Sequence, residues 1–218
     1  MSQNISKLVR KFLEHLELAK GRSLKTVRNY ESYLAVFIRE SKIMGVEEIT
    51  DDSVQKFRLF MNRKGLSKKT QNYYLIALRM FLKYLAREKI QSLPADRVDL
   101  AKVPEREIDL ISPEELQRLL EAPGQSNSPD SLRDKAILEL FFSTGLRLAE
   151  LASLPADLDD QSEELSVRGK GGKVRVVFVS PAAKSALKVY IKSEKFKIQS
   201  AKLFDISPRQ IERLVKRY

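Results

Sequence analysis

The chain predicts a mainly α-helical protein with one small β-hairpin, an all-helical first half and an α+β second half. Apolar residues recur at helical spacing through residues 1 to 90, and a proline-containing stretch of mixed charge from Gln91 to Arg106 then breaks the pattern. Two strand-like runs joined by Gly169-Lys170-Gly171-Gly172 follow only after that break. With 218 residues there is enough chain for two small domains that each bury a core. The expected division is therefore 1–90, a linker at 91–106, and 107–218.

In the first half, Ile5, Leu8, Val9, Phe12, Leu13 and Leu16 form one helical stripe, which Gly21 ends. Val27, Tyr30, Leu34, Phe37 and Ile38 form a second. A third helix is expected from Asp51 to Asn62 and a fourth from Ser67 to about Lys89, with Tyr74, Leu78, Phe81, Leu82 and Leu85 on its apolar face. The second and fourth helices repeat one design. Lys20-Gly21-x-Ser23-x-Lys25-Thr26-x-x-x-Tyr30-x-x-x-Leu34-x-x-Phe37 recurs at a constant offset of 44 residues as Lys64-Gly65-x-Ser67-x-Lys69-Thr70-x-x-x-Tyr74-x-x-x-Leu78-x-x-Phe81. Two copies imply two similar helical hairpins, too few for a solenoid. Each serine is placed to cap the helix it precedes.

Lys25, Lys68 and Lys69 then fall in first helical turns, where the macrodipole disfavours cations. A bound phosphate offsets that cost, since helix N-termini with nearby cations bind anions. Solvated lysines are the competing reading for each site taken singly, and the repetition at two equivalent starts favours the phosphate. Tyr30, Tyr74, Phe37 and Phe81 lie on the apolar stripes and read as core.

In the second half, Ser112-Pro113-Glu114-Glu115 supplies an N-cap, a first-turn proline and a capping-box glutamate for a helix carrying Leu116, Leu119 and Leu120. Ala122 to Asp130 reads as loop. A helix with Ala136, Ile137, Leu140 and Phe141 runs to Gly145, and a short one is expected from Arg147 to Ser153. Glu164–Arg168 and Lys173–Ser180 read as the hairpin strands, and helices return after Pro181 and from Ser207.

Composition narrows the partner. The formal charge is +11 and the pI about 9.7, which points to a polyanion, because each Lys or Arg that neutralises a phosphate releases counterions. Residues 1 to 105 hold 21 Lys and Arg against 12 Asp and Glu, whereas the remainder holds 19 against 17. The first half is the electrostatic half. No cysteine and a single histidine exclude disulfides and thiolate metal sites and leave no metal implied. With no secretory leader and no apolar run long enough to span a bilayer, the chain reads as cytoplasmic with no membrane partner.

Two strings carry the chemistry: Thr144-Gly145-Leu146-Arg147-Leu148-Ala149-Glu150-Leu151 and Gly169-Lys170-Gly171-Gly172-Lys173-Val174-Arg175. In that order, behind a basic helical module and a proline-containing linker, they resemble the tyrosine site-specific recombinases of the phage integrase family, Xer type, over essentially the whole chain. Residues 1–90 look like that family's SAM-like four-helix core-binding domain. Residues 107–218 look like the front, incomplete part of its α+β catalytic domain.

The resemblance implies cofactor-free phosphoryl transfer between DNA strands, in which a tyrosine attacks the scissile phosphate and a 3′-phosphotyrosyl link is later reversed by a partner strand's hydroxyl. Such a reaction needs cations on the nonbridging oxygens and a proton donor for the leaving oxygen. Arg147 matches the family's first arginine, an always-charged fork for two phosphate oxygens. Lys170 matches the hairpin lysine, the acid for the 5′-oxygen. Glu150, three residues after Arg147, reads as the carboxylate that holds it, or as one half of an ordinary surface ion pair. Lys25, Thr26, Lys68, Lys69, Thr70 and Arg79 in the first domain are expected to contact DNA, and Lys173 and Arg175 on the hairpin either touch DNA backbone or lie on the strand's exposed side. A solvated turn lysine is the competing reading of Lys170, with Lys173 as its neighbour and competitor.

Full-length relatives continue with a His-x-x-Arg helix, a later His or Trp, and the nucleophilic tyrosine, none of which appears as a motif in this sequence. His15 reads as structural or solvated. Tyr218 closes a Ser-Pro-Arg segment that precedes the His-x-x-Arg helix in the family, so it reads as a packing residue rather than the nucleophile. The chain is therefore expected to be truncated within the catalytic domain, able to bind duplex DNA at a short inverted-repeat site but unable to cleave it. The full-length parent is expected to form a tetramer on DNA. Apolar surface is expected to be bare around Phe141, Phe142 and the last helix. A noncatalytic DNA-binding protein that occupies recombination sites or regulates a full-length recombinase is the alternative, and an RNA- or ribosome-associated basic protein a weaker third.

Overall fold

Four helices build the first unit: α1 (Ile5–Leu18), α2 (Leu24–Ser41), α3 (Asp51–Arg63) and α4 (Lys68–Arg87). The computed structural model describes residues 4–104, 109–126, 128–158, 162–169, 172–193 and 201–218. It divides into two units, Met1–Glu107 and Ile108–Tyr218. In the first, the 44-residue repeat becomes a repeat of local structure. Gly21 and Gly65 take positive φ of +56° and +68°, a conformation L side chains disfavour. Each lets the chain turn back, so that the Arg22 N–H donates to the Leu16 carbonyl and the Leu66 N–H to the Met61 carbonyl. Ser23 and Ser67 then accept from the backbone N–H of Thr26 and Thr70, and each pair of hydroxyls lies 2.9 Å apart.

Burial follows the repeated stripe. Leu34 and Leu78, and Phe37 and Phe81, are buried at equivalent positions, while Tyr30 and Tyr74 pack at the edge of the core. Phe12 of α1 sits at the centre, its ring 5.5 Å from Phe81 and 5.6 Å from Tyr84. His15 lies over Tyr84 and its Nε2 accepts from the Arg87 guanidinium at 3.2 Å, since a guanidinium can only donate. That is a structural role.

The expected linker is largely part of this unit. Ala95–Arg97 forms a 3₁₀ turn, Val98 is fully buried, and Asn72 exchanges two 2.9 Å hydrogen bonds with the backbone of Ala101. Arg97 forks onto Asp51. Prolines and mixed charge mark the end of helical periodicity, but they do not report the packing of irregular chain onto a neighbouring core.

The second unit comprises α5 (Pro113–Glu121), α6 (Ser131–Thr144), α7 (Leu148–Leu151), β1 (Glu164–Arg168), β2 (Val174–Phe178), α8 (Pro181–Ile191) and α9 (Pro208–Arg217). Within the stretch read as loop, Ala122–Gln125 forms a 3₁₀ turn continuing α5, with Pro123 buried and its carbonyl accepting from the Ser126 N–H. β1 and β2 pair antiparallel with Val167 opposite Arg175 and Ser166 opposite Val176. Leu165, Val167 and Val177 face a core shared with Ile137, Leu140, Leu187, Phe204, Ile211 and Leu214.

Asp134, fully buried in α6, is held by the Arg133 guanidinium and by the hydroxyl of Tyr218, which donates to its Oδ2 at 3.1 Å. Tyr218 thus anchors the end of α9 to α6. Phe142 and Val215 are exposed and Phe141 is half-buried. The larger bare apolar strip is elsewhere, on Val174, Val176 and Phe178 of β2.

Candidate functional site

The Arg147 turn is built from the end of α6. The Thr144 hydroxyl donates to the Leu140 carbonyl and accepts from the Leu146 N–H, closing the last turn on itself. Gly145, at φ +59°, reverses the chain, and its N–H caps the Phe141 carbonyl. Leu146 is buried beside it and fixes the direction of exit. Arg147 therefore stands at the N-cap of α7, one position outside the helix, with its side chain 68% exposed. Every residue of the Thr-Gly-Leu-Arg string has a mechanical role.

Glu150 sits beneath Arg147 and is nearly buried, its side chain 6% exposed. Its Oε2 accepts from the Arg147 backbone N–H at 2.8 Å and its Oε1 from the Arg147 guanidinium at 2.9 Å. This is a held arginine rather than a loose surface pair, because the same carboxylate also fixes the backbone. Arg175 of β2 reaches Glu150 from the other side, with Nη1 2.8 Å from Oε1 and Nη2 2.9 Å from Oε2. Four donors satisfy the two oxygens. They hold the Glu150 carboxyl down at about 2, from an ordinary 4.5, with the Arg175 hydrogen bonds contributing most and the Arg147 N–H next. The same contact raises the Arg175 guanidinium.

Lys170 and Gly171 lie outside the described residues. On either side of them, the Gly169 N–H donates to the Lys173 carbonyl at 2.7 Å and the Gly172 N–H to the Gly169 carbonyl at 3.2 Å. Lys173 is exposed. At the far end of β2, Ser143 bonds the Phe178 carbonyl and the Ser180 N–H, tying the hairpin to α6.

In the first unit, Lys25, Lys68 and Lys69 are exposed in the first turns of α2 and α4, with Thr26 and Thr70 half-buried beside the capping serines and Arg79 half-buried on α4. Lys68 reaches Asn62 at 3.4 Å, and none of these cations pairs with a carboxylate among the described residues. Arg175 differs from the other residues expected to face DNA, since its guanidinium is committed to Glu150. Strand alternation was the available signal: Arg175 shares a face with buried Val177, and a charge on that face needs a partner. Among the described residues no cluster of metal-ligating side chains occurs, and no helix is long and apolar enough to cross a membrane.

Comparison with known proteins places these features in a family. Residues 9–89 match the phage integrase N-terminal SAM-like domain, and residues 109–217 match the phage integrase family. Tyrosine recombinase XerC of Bacillus subtilis is 34% identical over 196 residues, 88% of this chain and 64% of the relative's length. The chain thus spans a little under two thirds of that protein. XerC of Thermodesulfovibrio yellowstonii is 36% identical over 222 residues, covering 95% of this chain and 73% of its own. Among solved structures, a lambda integrase dimer bound to a COC′ core site aligns with a TM-score of 0.75 at 18% identity, over 99% of this chain and 63% of that one. At that identity the likeness is one of fold.

Proposed function

Since the chain belongs to the phage integrase family of tyrosine recombinases, Xer-like, we propose that it acts in site-specific DNA recombination as a holder of duplex DNA and of the phosphate to be transferred. The observation that carries this reading is Arg147, a mostly exposed guanidinium whose backbone and side chain are both fixed by a nearly buried carboxylate. Its free nitrogens are preorganised for two nonbridging phosphate oxygens, where charge develops during transfer. Lys170, one residue beyond Gly169, supplies the proton to the 5′-oxygen that leaves. No metal or nucleotide takes part in this scheme.

The repeated helix starts of the first unit hold the flanking duplex, through Lys25 and Thr26 at one and Lys68, Lys69 and Thr70 at the other, with Arg79 and the hairpin's Lys173 as further backbone contacts. The site is a short inverted repeat, occupied in the cytoplasm, and the whole recombinase assembles on it as a tetramer. The solved relatives include a lambda integrase tetramer bound to a Holliday junction, which supports that assembly as the model to test.

The 218 residues contain no His-x-x-Arg string, and the Tyr218 hydroxyl is engaged by Asp134. The second reading is a noncatalytic occupant of recombination sites. Selection of duplexes from a random pool, with structured RNA as competitor at matched salt, tests the binding. Enrichment of an inverted repeat, with affinity that falls steeply with salt, is expected, whereas equal or better binding to RNA sinks the proposal. A nicked suicide duplex separates the two readings: covalent attachment means catalysis by this chain, and its absence means occupancy.

A further inference from the structure

We propose that Arg175 is a positioning residue that acts through Glu150, setting the orientation of Arg147. The proposal rests on the phosphate-holding reading of Arg147 above. It assigns Arg175 a task other than touching DNA.

Geometry makes Glu150 the joint between two elements. Arg147 belongs to the turn after α6, and Arg175 to the strand leaving the Gly169–Gly172 turn, and both bond the same carboxylate with distances of 2.8 to 2.9 Å. The turn itself also approaches that carboxylate. A Cβ added at Gly169 would lie 3.3 Å from Glu150 Oε1 and 3.6 Å from Arg175 Nη1, so this backbone runs close beside the ion pair. Lys170 is the next residue in the chain. Arg147, Arg175 and the Gly169 backbone therefore meet at one carboxylate.

Charge shows why a second arginine is required. With Arg147 alone, each Glu150 oxygen would keep one donor, and a nearly buried carboxylate half-satisfied in this way is costly. It would draw the Arg147 fork fully onto itself, away from a phosphate. Arg175 supplies the bidentate pair, which leaves Arg147 one bond from its guanidinium and one from its backbone. Lysine, a single-point donor, cannot reproduce the fork. Ser143 holds only the opposite end of the strand, at Phe178 and Ser180.

Two measurements on the full chain test this. In the free protein, hydrogen exchange at the Arg147 amide is expected to quicken by about 10-fold in Arg175→Gln and by less in Arg175→Lys, while Lys173→Gln leaves it unchanged. On duplex DNA, Arg175→Gln is expected to weaken binding by about 10-fold in the parent background but by under about 2-fold when Arg147 is already alanine. Lys173→Gln, by contrast, adds its full effect in both backgrounds. An unchanged Arg147 amide, or additive losses for Arg147 and Arg175, overturns the proposal, the second outcome making Arg175 a phosphate contact of its own. Loss of folding in both Arg175 variants, seen as loss of a cooperative melt, overturns it too by making the residue structural. If the parent chain does not bind duplex DNA, the proposed function fails, and the exchange measurement still decides the role of Arg175.

Discussion

The two units use positive charge in opposite ways. In the first, Lys25, Lys68 and Lys69 stand exposed at the starts of α2 and α4, and none forms an ion pair among the described residues. In the second, Arg147 and Arg175 converge on the buried Glu150, and a backbone N–H joins them. Unpaired lysines supply long-range, salt-sensitive attraction that tolerates imprecise geometry. A clamped arginine sacrifices some of that field for a fixed orientation, which is what stabilising one particular phosphate demands. Under the proposed function, the first unit supplies affinity and the second placement.

The comparison breaks first at the core. Phe12→Ala removes the ring at the centre of the first unit and is expected to destabilise that unit by about 3–5 kcal/mol, read from the exchange of its slowest amides. An effect under about 1 kcal/mol would mean the aromatic core does not carry the fold. Next comes Arg147→Ala, expected to weaken duplex binding by about 10-fold or more through lost charge-assisted bonds, with the melting temperature little changed.

Glu150→Gln separates the units by pH. Its carboxyl is held at about 2 when folded against 4.5 when free, so it adds stability that is complete above 4.5 and vanishes as pH falls toward 2. The melting-temperature gap between parent and variant should therefore be widest near neutrality and close below pH 4. A gap that widens in acid contradicts the clamp.

Smaller effects test the repeat. Ser67→Ala and Ser23→Ala should each cost about 1 kcal/mol in urea unfolding, and by similar amounts, since the two caps share one geometry. Smallest is Lys69→Gln, expected to lower the salt slope of duplex binding by about 0.9 while changing affinity at low salt only a few-fold. A slope unchanged by Lys69→Gln would remove α4's start from the interface.

Local order was legible in the sequence because short-range physics sets it. Helical periodicity, Ser caps, the left-handed glycines at 21 and 65, and the Thr-Gly-Leu-Arg turn all involve groups within six residues of one another. What escaped reading joins residues distant in sequence. The Arg175 fork on Glu150, the Asn72 clasp on Ala101, the Ser143 tie to Phe178 and the Tyr218 anchor on Asp134 each depend on how elements pack. The expected linker packs onto the first unit for the same reason, since Val98 is buried by a core that lies earlier in the chain. Of the candidate site, the contact of Glu150 with Arg147 follows from their three-residue spacing, whereas the role expected of Arg147 comes from the family resemblance. Arg175 suits phosphate as well as carboxylate by type, so its partner follows only from the packing of β2 against α7.

Neutralising single phosphates by methylphosphonate substitution, along a duplex the chain has selected, tests the central claim that Arg147 holds one phosphate. One position per half-site should weaken binding of the parent chain yet make no difference to Arg147→Ala. Equal losses in parent and variant at every position would contradict it.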